Sequence, residues 1–83
     1  MSFRYRENVL AELARHGVAP RDDTPPELVH DFINDLYLYE IRALRKRLLD
    51  GLIPKSEYAR HVEALRRRYP ILSLPTRHWI ESD

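Results

Sequence analysis

The sequence predicts an all-α fold: a small three-helix domain with an antiparallel helical hairpin, made by the second and third helices, and an extended apolar C-terminal tail. Three observations carry this expectation. The two glycines, Gly17 and Gly51, stand where apolar-periodic segments stop, the place for a left-handed residue beyond a helix C-terminus. Thr24-Pro25-Pro26-Glu27 reads as a helix start, with Thr24 as cap, Pro25 at the first helical position and Glu27 closing a capping box. Tyr37, Ile41, Leu44 and Leu48 repeat at the same 4-3-4 spacing as Tyr58, Val62, Leu65 and Tyr69, so two seams can face each other across Gly51.

Taken in order, a first helix is expected over about 3–16, with Ser2 as cap and Val9, Leu10, Leu13 and Ala14 on one side. His16 suits the negative end of that helix. The second helix should cover about 25–49. Its early apolar set is Leu28, Val29, Phe32, Ile33 and Leu36, and its later set is the Tyr37-to-Leu48 seam. The third should cover about 54–69 and stop at Pro70. The tail Ile71-Leu72-Ser73-Leu74-Pro75 is restricted by its prolines and should run extended, packed back on the helices. Thr76 would cap a last short turn over 77–81, carrying Trp79 and Ile80.

Length and composition agree with one domain over 1–83. The chain has 83 residues, 43% hydrophobic and 33% charged, enough for one thin core and too apolar for wholesale disorder. With no cysteine there is neither a disulfide framework nor a thiolate metal site. No apolar run approaches the ~20 residues of a membrane span, and Met1-Ser2-Phe3-Arg4 opens no signal-peptide pattern. A cytoplasmic protein without membrane contact is expected.

The net charge of +1 hides a lopsided distribution. Residues 42–68 hold nine basic side chains against three acids, a net +6, and the remainder holds five against ten, a net −5. Part of this has a structural cause. Glu27, Asp31 and Asp35 sit toward the positive end of the second helix, and Arg42, Arg45, Lys46 and Arg47 toward its negative end, each placement worth ~0.3–1 kcal/mol. At ~100° per residue, Arg42 and Lys46 point away from the seam of the second helix. Arg60 and Arg67 point away from that of the third, with Arg66 and Arg68 on its flanks. In an antiparallel pair those outer faces diverge. A solvated face, an acidic protein partner and nucleic acid all remain open for this basic set, and Arg60, Arg66, Arg67 and Arg68 form the one cluster larger than a helix dipole calls for. A helix-turn-helix motif is excluded, because aligning its turn on Gly51 sends Lys46, Asp50, Glu57 and Arg60 into the core.

The stretch 41–68 resembles the short C-terminal helical hairpin family called SHOCT, common in bacterial proteins. The matching residues are Leu48-Leu49-Asp50-Gly51-Leu52-Ile53, then Glu57-Tyr58, and Leu65. Pro54, Lys55 and Ser56 depart from that family's pattern, and the Asp-to-Gly spacing is shorter. The resemblance covers about a third of the chain and implies oligomerisation or macromolecular contact, with no catalysis.

No catalytic constellation is legible, so no enzyme activity, cofactor or metal is expected. Glu27, Asp31 and Asp35, with His30 and Asn34 beside them, form one stripe on one helix, whereas acid–base or metal chemistry needs groups converging from several elements. His16, His30, His61 and His78 lack metal-ligand spacing; Glu57 can pair with His61, and Glu63 with Arg67, at i,i+4. Most aromatic residues fall on the seams and read as core; only Tyr39 lies near the Arg42 and Lys46 face. The apolar oddity is Leu38 and Leu49, which project ~90–130° away from the seam. Either the first helix or the tail covers them, or they are left for a partner. The expected function is a small non-catalytic interaction module, an adaptor or a homo-oligomer; the alternative is nucleic-acid binding through the basic third helix.

Overall fold

The structure, a computed structural model, describes residues 2–81. There are three α-helices, α1 (Glu7–Arg15), α2 (Pro26–Leu49) and α3 (Tyr58–Arg67), with a turn of 3-10 helix at Lys55–Glu57 before α3 and two more, Pro70–Ser73 and Thr76–His78, after it. No strand forms among the described residues, and the all-α expectation holds.

Both glycines do what their positions imply. Gly17 has φ +75° and Gly51 φ +77°, a region that costs a side-chain-bearing residue free energy. Each closes a Schellman motif. At the end of α1 the Val18 N–H donates to Leu13 O and Gly17 N–H to Ala14 O; at the end of α2 Leu52 N–H donates to Arg47 O and Gly51 N–H to Leu48 O. Val18 then packs on the core, but Leu52, its counterpart at the hairpin tip, is 70% exposed.

Several boundaries differ from the sequence reading, each for a tertiary or steric reason. α1 begins at Glu7, not near residue 3, because residues 3–6 give their backbone to the C-terminal segment. Tyr5 pairs with Ile80, Arg6 N–H donates to Trp79 O at 3.0 Å and Glu81 N–H to Arg4 O at 2.8 Å. Ser2 therefore lies outside α1 and caps nothing. α2 begins at Pro26, since the following proline holds Pro25 extended at ψ 137°. The capping box is not made: Thr24 Oγ1 instead accepts from Arg21 N–H at 3.1 Å, and the Thr76 hydroxyl lies 3.5 Å from Glu27 Oε1. α3 starts at Tyr58 after the 3-10 turn that follows Pro54. The tail is not extended; Pro70 and Pro75 each begin or precede a 3-10 turn, and the last turn falls at Thr76–His78.

One core gathers Val9 and Leu13 of α1, Val29 and Ile33 of α2, Leu65 of α3, and Tyr5, Tyr69, Ile71 and Trp79. Trp79 is the largest fully buried side chain, and its indole N–H donates to Leu74 O at 2.9 Å. Leu44 and Ile53 are buried outside this cluster, along the hairpin that α2 and α3 extend beyond it. The molecule is correspondingly long, 50 × 17 × 16 Å with a radius of gyration of 15.4 Å. A compact chain of this length would have about 12 Å.

Candidate interaction surface

α2 is the spine of the molecule, 24 residues and ~36 Å long. Val29, Ile33 and Leu44 point into the protein. The opposite face is solvent-exposed along most of its length and carries Leu28, Asp31, Asp35, Leu38, Arg42 and Leu49 within ~100° of arc. Leu28 is 63% exposed and Leu49 75%, and Leu38, at 37%, is covered only in part.

The early apolar set of α2 divides. Val29 and Ile33 are buried as the periodicity implies, but Leu28 and Phe32 (52% exposed) are not. The turns at Pro70–Ser73 and Thr76–His78 pack on α2, and the core they share with α1 takes in Val29 and Ile33 but leaves the outer edge of α2 open. Leu28 and Phe32 instead form one wall of a shallow apolar groove of about 410 Å³, whose other wall is Val18, Ala19 and Pro20.

Charge on the exposed face is segregated. Asp31 and Asp35 stand toward the N-terminal end, Arg42, Arg45 and Lys46 toward the C-terminal end, and all are exposed. Asp31 approaches only its neighbour His30, at 3.7 Å. Asp35, Arg42, Arg45 and Lys46 make no ion pair among the described residues.

On α3 and just beyond it, the basic set separates. Arg60, Arg66 and Arg67 are exposed with no ion-pair partner among the described residues. Arg68 is held: its guanidinium donates to Glu40 Oε1 at 3.1 Å. The suggested Glu57–His61 and Glu63–Arg67 pairs are not formed.

Glu40 is the residue that sequence reasoning missed. Its other carboxylate oxygen accepts a hydrogen bond from the Tyr69 hydroxyl, and the imidazole of His16 stacks on the Tyr69 ring with centroids 4.4 Å apart. Tyr37 meets the same ring edge-on at 5.3 Å. Burial, then the hydrogen bond and negative charge of Glu40, push the Tyr69 phenol up to about 12, with Arg68 opposing. Burial and the Glu27 carboxylate raise that of Tyr5, whose hydroxyl donates to Thr24 O. A signal for Glu40 was present: it is an acid in the turn before the basic run, on the flank of the buried line. A polar pocket of about 330 Å³ opens beside it, rimmed by Arg15, His16 and Arg68. The carboxylate is fully engaged by Tyr69 and Arg68, which makes the cluster a clamp joining α1, α2 and the end of α3.

The acidic stripe does not assemble a reaction centre. Glu27 faces Thr76, His30 lies against Trp79 with centroids at 5.8 Å, and Asp31 projects into solvent. No group of three or more metal-ligating side chains gathers among the described residues, and no helix is long and apolar enough to cross a membrane.

No protein-family model, curated protein or solved structure matches this chain. The likeness of the hairpin to SHOCT therefore stands on the residues quoted for it.

Proposed function

We propose that the protein is a non-catalytic helical interaction module, an adaptor or a homo-oligomer, whose working surface is the exposed face of α2. The observation that carries this reading is the exposed row Leu28, Leu38 and Leu49, with acids between its first two members and bases between its last two. Apolar side chains repeated along one solvent-facing helix stripe are what a partner helix or groove takes up. The clamp at Glu40 and the core at Trp79 lie on the other side of α2 and leave this face free.

Site-specific photocrosslinking in the cell of origin tests it. A benzophenone amino acid in place of Leu38 or Leu49 should give discrete protein adducts, and the same group in place of Ala11, exposed on α1, should not. Equal, diffuse labelling at all three positions overturns the reading.

A second reading keeps the exposed Arg60, Arg66 and Arg67 as a contact for nucleic acid. It requires a complex at low salt that weakens steeply as salt rises and disappears in the Arg60→Ala, Arg66→Ala, Arg67→Ala triple variant. A mobility-shift assay with no complex at low salt removes it.

A further inference from the structure

The exposed face of α2 is complementary to itself. Placed against a second α2 running the opposite way, with a two-fold axis crossing at the level of Leu38, each feature meets its counterpart. Leu38 meets Leu38 of the second copy, Asp35 meets Arg42, Asp31 meets Arg45, and Leu28 at one end meets Leu49 at the other. Four features, two apolar and two charged, fall into register under one operation.

We infer that the protein forms an antiparallel homodimer through this face of α2. The inference rests on the interaction-module reading and names its partner as a second copy of this chain. Three properties of the face favour that occupant. Its charges are segregated, so a parallel copy would set Asp31 on Asp31 and Arg42 on Arg42, whereas the antiparallel one alternates their signs. Asp35, Arg42 and Arg45 have no ion-pair partner within the chain among the described residues, so they are available to another. The apolar side chains sit at the centre and both ends of the row, with charges between, which fixes the register as well as the direction. The groove walled by Val18, Pro20, Leu28 and Phe32 gives Leu49 of the second copy an apolar seat next to Leu28.

A contact confined to one helix face lies at the low end of stable interfaces, below ~1,200 Å², so dissociation is expected on the order of micromolar. Because the charged pairs lie at the surface, raising salt from ~0.05 M to ~1 M should weaken the dimer more than about tenfold.

Sedimentation equilibrium of the full chain provides the test, with circular dichroism as the control for folding. The wild-type protein should be a dimer at ~100 μM. The variants Asp31→Arg with Asp35→Arg, and Arg42→Glu with Arg45→Glu, should each be monomeric and folded, and mixing the two should restore a dimer. Since the chain has no cysteine, Leu38→Cys should oxidise to a disulfide-linked dimer and Ala11→Cys should not. A wild-type dimer that survives both charge reversals, or fails to link through Leu38→Cys, overturns the inference: the copies then meet elsewhere. A strict monomer at ~1 mM in low salt overturns it too. The broader reading is judged separately by the adducts at Leu38: a different protein there preserves the interaction module without self-association, and labelling no different from Ala11 removes both.

Discussion

The Tyr69 hydroxyl donates a hydrogen bond to Glu40, a residue 29 positions earlier in the chain, and the same carboxylate accepts one from Arg68. This pairing ties the end of the hairpin to the middle of its first helix. His16 stacked on the far side of the Tyr69 ring brings α1 into the same joint. The buried side of α2 is held by this joint and by the tryptophan-centred core, and neither occupies its exposed face.

Alkaline titration should reveal the pairing. Tyr69 should ionise near pH 12, above the ordinary tyrosine value of about 10, followed by phenolate absorbance. Its folded pKa lies above the unfolded value of about 10, so the favoured state is the protonated one. The stability it contributes is complete below pH ~10 and is lost as pH rises through ~12. In Glu40→Gln the phenol should titrate earlier, because the hydrogen bond to a carboxylate and the negative charge are both gone; an unchanged titration would contradict the assignment.

Trp79→Ala should be among the most destabilising single substitutions. The ring is fully buried among Val9, Leu13 and Ile33, and its N–H is satisfied by Leu74 O. A loss of about 3–5 kcal/mol is expected in urea unfolding followed by circular dichroism. As the single tryptophan, it should also give the wild-type protein a blue-shifted emission that moves red in one transition.

Gly51→Ala and Gly17→Ala should each cost about 1 kcal/mol, from backbone conformation alone. A Cβ at either position meets nothing within 4 Å, so no steric clash adds to it. Thermal melts of the two variants should therefore shift by similar amounts, and a much larger loss at one site would show a contact not present here.

The hairpin arm should open before the core. Beyond the main cluster it buries only Leu44 and Ile53 well, while Leu49 and Leu52 at its tip are exposed. Amide exchange over residues 44–58 should proceed with a lower free energy than at Leu13 or Ile33. Leu44→Ala should speed exchange in the arm and leave exchange in α1 nearly unchanged.

A good part of this was legible in the chain. Gly17 and Gly51 marked two helix ends because a left-handed residue is a local requirement that glycine meets. The seam spacing placed α2 against α3, and the angular position of Leu38 and Leu49 showed that they point away from it. What was hidden involved distant partners. Thr24 has the right side chain for a cap, but Pro26 holds the residue before it out of helical conformation, and Thr24 turns back to Arg21. Phe32 has the periodicity of a core residue, yet it is half exposed, because the core closes over Val29 and Ile33 and not over their outer neighbours.

The sequence by itself determined where helices can stop, which side of each is apolar, and that charge of opposite sign lies at the two ends of α2. Those are properties of residues within a few positions of one another. Only the tertiary structure decided which apolar residues are covered, that Glu40 engages both Tyr69 and Arg68, and that residues 3–6 pair with the C-terminal segment. Periodicity gives a side chain's direction about its own helix axis; whether another element lies in that direction depends on the lengths and crossings of distant parts of the chain. Leu28 and Leu49 are left largely open and Leu38 in part, and the most informative surface of this protein is therefore the one its own fold does not cover.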